Sequence, residues 1–228
     1  MADDLKGYKK MPKWMECGWR RIPCEKSDCP ICGRIQQDRL RHIMAGENPD
    51  DVKSCLEDVS RNFKEVLAMI KKDCEAQGIE ISNIDKIQEP PEPKEFPLYQ
   101  KVKKWRDETV FFFDNPLNEF LIYTEAVQNI LWYADTLLAK VYRQLCNKWH
   151  IENGDEYGEF DFQYTKHVLK ECVNILKKSL RELERNNSSQ KEFWTVKISE
   201  FCLLEKEIFK IAPNKELKTW LKIRQKKK

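Results

Sequence analysis

Apolar positions along this chain repeat at helical spacing. The most regular run is Val52, Leu56, Val59, Phe63, Val66, Ile70 and Cys74, with steps of three and four residues. That is the spacing of a coiled-coil seam. Asn48-Pro49-Asp50-Asp51 predicts where this helix starts: a capping side chain, a proline suited to the first helical position, and two acids at the positive dipole end. Gly78 predicts where it stops. Upstream, Ile35, Leu40 and Ile43 predict a short helix from Arg34 to Met44. Residues 79–97 carry Pro90, Pro91, Pro93 and Pro97 among acids. They exclude a helix or a central strand and mark a boundary.

The second half has longer helical runs. Leu98–Phe113 predicts a short helix carrying Trp105, although its Val110–Phe113 run suits a short strand equally well. Asp114-Asn115-Pro116 reads as the start of a long helix through Leu117, Phe120, Leu121, Val127, Ile130, Leu131, Leu138, Val141, Leu145 and Trp149. Gly154 and Gly158 break it. Asp161 is a candidate cap for the next helix, whose face is Tyr164, Val168, Leu169, Cys172, Val173, Leu176, Leu180 and Leu183. Ser189-Gln190-Lys191-Glu192 has the form of a capping box and opens a helix through Phe193, Val196, Phe201, Leu204, Ile208 and Ile211 that Pro213 stops. A basic segment, Lys215–Arg224, follows with Leu217, Trp220 and Leu221. Short connections make the three later long helices antiparallel neighbours, and the helix beginning near Asn48 is available as a fourth. The expected fold is therefore all-α: an antiparallel helical bundle with a small N-terminal four-cysteine zinc-knuckle segment. Residues 1–46 form a basic segment holding the knuckle, 47–97 a long helix and Pro-rich connector, and 98–228 the bundle with its basic C-terminal helix or tail.

Composition narrows the class. With 228 residues, 41% hydrophobic and 35% charged, the chain is long enough for one sizeable core and too apolar for a wholly disordered one. No apolar stretch reaches the ~18 residues of a membrane span. Met1–Lys13 is charged throughout, unlike a secretory leader. The expectation is a soluble, cytoplasmic protein. Its net charge of +3 is unevenly placed. Met1–Gly46 has ten Lys/Arg against six Asp/Glu, Pro213–Lys228 has seven against one, and the middle is acidic. Basic ends on an acidic body can face a polyanion.

The nine cysteines sharpen the picture. Cys55, Cys74, Cys146, Cys172 and Cys202 are scattered through helical stretches, whereas Cys17, Cys24, Cys29 and Cys32 lie close together. This pattern fits a reducing compartment with one metal site rather than a disulfide framework. In Cys29-Pro30-Ile31-Cys32-Gly33, two thiolates three residues apart can grip one ion, with Pro30 stiffening the turn and Gly33 allowing it. This turn resembles the knuckles of zinc ribbons and rubredoxins over about five residues. Cys17 and Cys24, seven apart, depart from those families, so the resemblance implies a metal knuckle and not a ribbon topology. Four cysteine ligands leave no open coordination position, which describes a structural Zn2+ site. Iron is the weaker fit, and His42 is an alternative ligand in place of Cys17.

Arg20, Arg21, Lys26, Arg34, Arg39, Arg41 and His42 surround the knuckle, with Trp14 and Trp19 interleaved; Lys222 and Arg224 sit at the other basic end. Cations and rings on a pinned loop can hold phosphates and stack on bases. The competing reading is that the tryptophans pack the knuckle.

Catalytic signatures are sparse. No Walker loop, dinucleotide fingerprint, nucleophile elbow or zinc-protease helix occurs. No Glu-x-x-His pair exists for a di-iron bundle. Asp135, beside Tyr133, is a part-buried acid of either functional or ordinary kind. Arg143 and His150 lie seven residues apart on one helix face. An Arg followed by a polar residue, with a His five to seven positions on, resembles the catalytic motif of the HEPN family of helical ribonucleases. That resemblance implies a dimer, with His150 in acid–base chemistry and Arg143 stabilising phosphorane charge. The leading expectation is a non-enzymatic, zinc-stabilised helical binding or adaptor module that contacts a nucleic acid or a protein partner. The alternatives are a HEPN-like ribonuclease and a scaffold or homo-oligomer in which the helix Pro49–Gln77 pairs between chains.

Overall fold

The computed structural model describes residues 17–22, 26–78, 89–154 and 158–213. Every regular element among them is helical. The chain divides into two compact units, Met1–Gln88 and Glu89–Lys228.

In the first unit, α1 spans Cys32–Met44 and α2 spans Val52–Gln77. Helix α2 begins later than Asn48 would place it. Asp51, in extended backbone, accepts the Ser54 N–H at 2.7 Å and is the cap. Asn48 instead accepts the Asp50 N–H at 3.0 Å, closing a local turn of the kind asparagine favours. Gly78 ends α2 at φ 66°, a left-handed position that costs glycine little.

Helices α1 and α2 run antiparallel, as their cross-pairs show: Arg34 with Glu65, Asp38 with Arg61, and Arg41 with Asp58. The joint is polar. Helix α1 buries Cys32, Gly33, Asp38 and His42, while Ile35, Leu40 and Ile43 are exposed. The periodic residues of α1 therefore do not mark its packed face. On α2, residues 54, 58, 61, 62 and 65 meet α1 or its approach. The apolar seam from Val52 to Ile70 lies on the opposite side of the helix, because residues three and four apart share a face, and it is exposed.

In the second unit, α3 spans Pro97–Phe111, α4 Glu125–Glu152, α5 Gly158–Asn186 and α6 Lys191–Ile208. Each is antiparallel to the next, and α6 returns to α3. The links are Arg106–Asp135, Arg143–Asp161, Lys177–Glu205 and Lys101–Glu207. This is an up-and-down four-helix bundle. Its fourth member is α3, not the helix that follows Asn48. Val102, Trp105 and Thr109 of α3 are buried on one face, and Trp105 lies against Phe201 with ring centroids 4.6 Å apart. Ile130, Leu137, Val141, Leu169, Leu176, Leu180 and Trp194 complete the centre.

Two boundaries differ from expectation, and one open choice is decided. Residues Pro116–Tyr123 form 3-10 turns, so α4 begins after Thr124, whose hydroxyl accepts the Val127 N–H. The Val110–Phe113 run is helical, passing from α3 into a 3-10 turn. The capping box at Ser189 does not form. Ser188–Gln190 is a 3-10 turn, held by Asn187 Nδ2 donating to Gln190 Oε1 at 2.7 Å and by Gln190 Nε2 donating to Asn118 Oδ1 at 2.6 Å. No helix among the described residues is long and apolar enough to cross a membrane. Trp14, Leu217, Trp220, Leu221 and the connector residues 79–88 lie outside the described residues.

Candidate metal centre

Three of the four expected ligands converge. Cys17 lies in a short 3-10 turn. Cys29 ends a tight turn closed by its own N–H, which donates to the Lys26 carbonyl at 3.1 Å. Cys32 is the first residue of α1. The Sγ atoms of all three lie within 4.8 Å of one another, with Cys17 and Cys29 at 3.8 Å. Metal–sulfur bonds of about 2.3 Å in tetrahedral geometry give an edge of about 3.8 Å. The Cys17–Cys29 separation matches that edge, and the other two pairs lie within 4.8 Å. Cys29 and Cys32 are buried and Cys17 half-buried. Cys24 lies outside the described residues.

The knuckle depends on a close approach that the sequence signals only as a glycine. A Cβ on Gly33 would lie 2.4 Å from the Ser27 carbonyl oxygen. The Gly33 N–H donates to the Cys29 carbonyl at 2.7 Å. Trp19 is buried, and the Arg20 guanidinium sits over its ring at 5.5 Å.

His42 stands apart from the cysteine group. It is wholly enclosed, with Nδ1 2.6 Å from Glu47 Oε2 and Nε2 3.0 Å from Asp58 Oδ1. Ligand atoms of His42, Glu47 and Glu57 lie within 4.8 Å of one another, but Glu47 and Asp58 already partner the two ring nitrogens. The hydrogen bond to Glu47 raises the imidazole pKa against the opposing effect of burial, with Asp58 adding to the rise. Burial opposes ionisation of Asp58, yet hydrogen bonds from His42 and Arg61 hold its pKa below the ordinary value. Sequence reading did not find this hub, because Asp38, His42, Asp58 and Arg61 share no local pattern.

The candidate nucleic-acid residues are largely engaged within the unit. Arg34 donates to Asn62 at 2.6 Å and Glu65 at 2.7 Å. Arg39 grips Asp50 through both nitrogens, at 2.5 and 3.1 Å. Arg41 pairs with Asp58. Arg21 is half-buried. Lys222 and Arg224 lie outside the described residues.

In the bundle, Arg143 is clasped by Asp161, Nε to Oδ2 at 2.7 Å and Nη2 to Oδ1 at 2.8 Å. Asp161 also accepts from Asn147 at 2.5 Å, so it bridges α4 and α5 rather than capping α5. His150 lies edge-on to Trp149 at 5.1 Å. Asp135 is exposed and accepts from Arg106 at 2.5 Å. Of the scattered cysteines, Cys172 is buried, Cys55 exposed, and Cys74, Cys146 and Cys202 half-buried. No family model, curated protein or solved structure matches the chain. The class defined by fold and site is therefore a two-unit, all-helical protein with a cysteine cluster at the start of its first helix.

Proposed function

We propose that this protein is a non-enzymatic helical binding module whose N-terminal knuckle is shaped by a structural zinc ion, and that it works in the reducing cytoplasm. One observation carries the reading: three sulfur atoms gather at the start of α1, two of them at the 3.8 Å edge length of a zinc tetrahedron. Cys17, Cys29 and Cys32 are three ligands, and Cys24 is the fourth the spacing offers. A closed set of four thiolates does no catalysis; it converts a short segment into a rigid lobe beside α1. The positive end of the α1 dipole complements the negative charge of such a cluster. Arg34, Arg39 and Arg41 are neutralised by acids of α2 and its approach, which favours a protein partner over a polyanion.

Elemental analysis of the full chain should return about one zinc per chain, lost in the Cys29→Ser/Cys32→Ser variant. Metal-free protein that keeps its native hydrogen-exchange protection across residues 17–44 would overturn the reading.

Nucleic-acid contact is the second reading. One feature favours it: an open trough of about 610 Å3 on α5, lined by Asn174, Lys177, Lys178, Arg181, Glu184 and Arg185. Binding of RNA and DNA measured against salt tests it. Phosphate contacts must weaken steeply as salt rises, so an absent or salt-insensitive signal removes it.

A further inference from the structure

Helix α2 carries a long apolar seam on the side away from α1. Val52, Leu56, Val59, Phe63, Val66 and Ile70 are between 47% and 75% exposed. Their steps alternate four and three, so Leu56, Phe63 and Ile70 fall at a positions and the three valines at d positions. Two flanking positions, Leu67 and Met69, widen the stripe and are also exposed. At roughly 150–200 Å2 for a large apolar residue in an extended chain, these eight leave on the order of 800 Å2 of surface. That is far larger than scattered surface residues provide, and about what one partner contributes to a standard interface.

The pattern is self-complementary in one orientation. Two copies of α2 laid antiparallel, with the two-fold axis near Arg61, pair Val52 with Ile70, Leu56 with Val66 and Val59 with Phe63. Every layer then holds one valine and one larger side chain, the alternation that fills a seam evenly. A parallel pair would instead stack Phe63 on Phe63 and valine on valine, giving layers of unequal width. The flanks agree. Cys55, Ser60, Asn62, Leu67 and Met69 are uncharged, and Lys53 faces Leu67 in the antiparallel pair, so no like charges meet. The charged residues 58, 61 and 65 occupy the opposite side and serve α1. We infer that the exposed seam of α2 is a homodimer interface, filled by the α2 helix of a second copy running antiparallel about a two-fold axis. The inference is independent of zinc, because no cysteine of the knuckle lies on the seam.

Light scattering on the full chain, across concentrations up to about 200 µM, tests it. The expected mass is twice the 27.3 kDa of one chain. Phe63→Glu places a charge in a central layer and should weaken the dimer by at least ~100-fold. Phe63 is exposed in the single chain, so the variant keeps its far-ultraviolet circular dichroism; Leu56→Gln is the second variant, expected to behave alike. In Met69→Cys, mild oxidation with diamide should join the introduced thiol of one chain to Cys55 of the other. Within one chain these positions are ~21 Å apart along the helix, too far for a disulfide. A single-chain mass at every concentration, a dimer that survives Phe63→Glu and Leu56→Gln, or a Cys55–Cys55 cross-link between chains would each overturn the inference.

Discussion

Replacing Gly33 with alanine should damage the metal centre without removing a ligand. The added Cβ would stand 2.4 Å from the Ser27 carbonyl oxygen, and real Cβ atoms essentially never come within 3.0 Å of such a neighbour. A displacement of at least about 0.6 Å is therefore required. Backbone is the obstacle, so no side chain can swing aside. Either the turn before Cys29 retreats or the first turn of α1 does. Cys29 rides on the turn and Cys32 on the helix, so relief at Gly33 changes the spacing of the two sulfurs. Zinc sites tolerate about 0.2 Å in ligand distance. A site strained by several times that amount should lose on the order of 10- to 100-fold in zinc affinity, or ~1.4–2.7 kcal/mol, comparable to the loss of an outer-shell partner. Gly18→Ala is the control, since its Cβ would meet only the Ile31 methyl at 3.9 Å. Competition against a chromogenic chelator measures both variants, with circular dichroism reporting the fold. If Gly33→Ala binds zinc within about twofold of the unaltered chain while Gly18→Ala does the same, the reasoning fails.

Other outcomes follow from the described geometry. His42, with its pKa raised chiefly by Glu47, should titrate above the ordinary value of ~6.5 in proton NMR. Its contribution to the α1–α2 joint is fully present below the unfolded pKa and is lost as pH rises through the folded one. Asp58, with a lowered pKa, acts in the opposite sense: its contribution is present above ~3.9 and is lost as pH falls through its folded value. The joint should therefore be firmest between those limits, and one that tightens from about pH 6 to about pH 8 would contradict the assignment. Burial pushes the Cys172 thiol up to about 12, so native protein should alkylate at exposed Cys55 and leave Cys172 unmodified until it unfolds, as peptide mass spectrometry will read. Phe201 is fully enclosed and packed on Trp105. Phe201→Ala should cost the bundle ~3–5 kcal/mol in denaturant unfolding, and a loss below ~1 kcal/mol would mean the ring is not central.

Helical identity was readable because burial on one side of a helix writes a repeat of three and four into local sequence. The face of α5 was legible for that reason, as was the end of α2 at Gly78; on α4 only Val127, Ile130 and Val141 of the expected residues are buried, beside Tyr133, Ala134, Leu137 and Gln144, which the expected pattern did not include. The start of α4 was not legible: Pro116 fits a helix start, but Thr124 in extended backbone took the cap. The same repeat misled on α1 and α2, where it marks exposed surface and a layer of ion pairs makes the joint.

The sequence by itself determined which residue types could meet: four thiols near a Pro-Gly turn, a heptad seam, and helices long enough to bundle. Only tertiary structure decided what met what. It placed Cys17 beside Cys29 across twelve residues, chose α3 as the fourth helix, clasped Arg143 with Asp161, and bound the arginines of α1 to the acids around α2. The reason is physical. Local propensity and periodicity act over a turn or two of chain, whereas ion pairs, ligand clusters and the neighbour a face selects depend on distances set only when the whole unit packs.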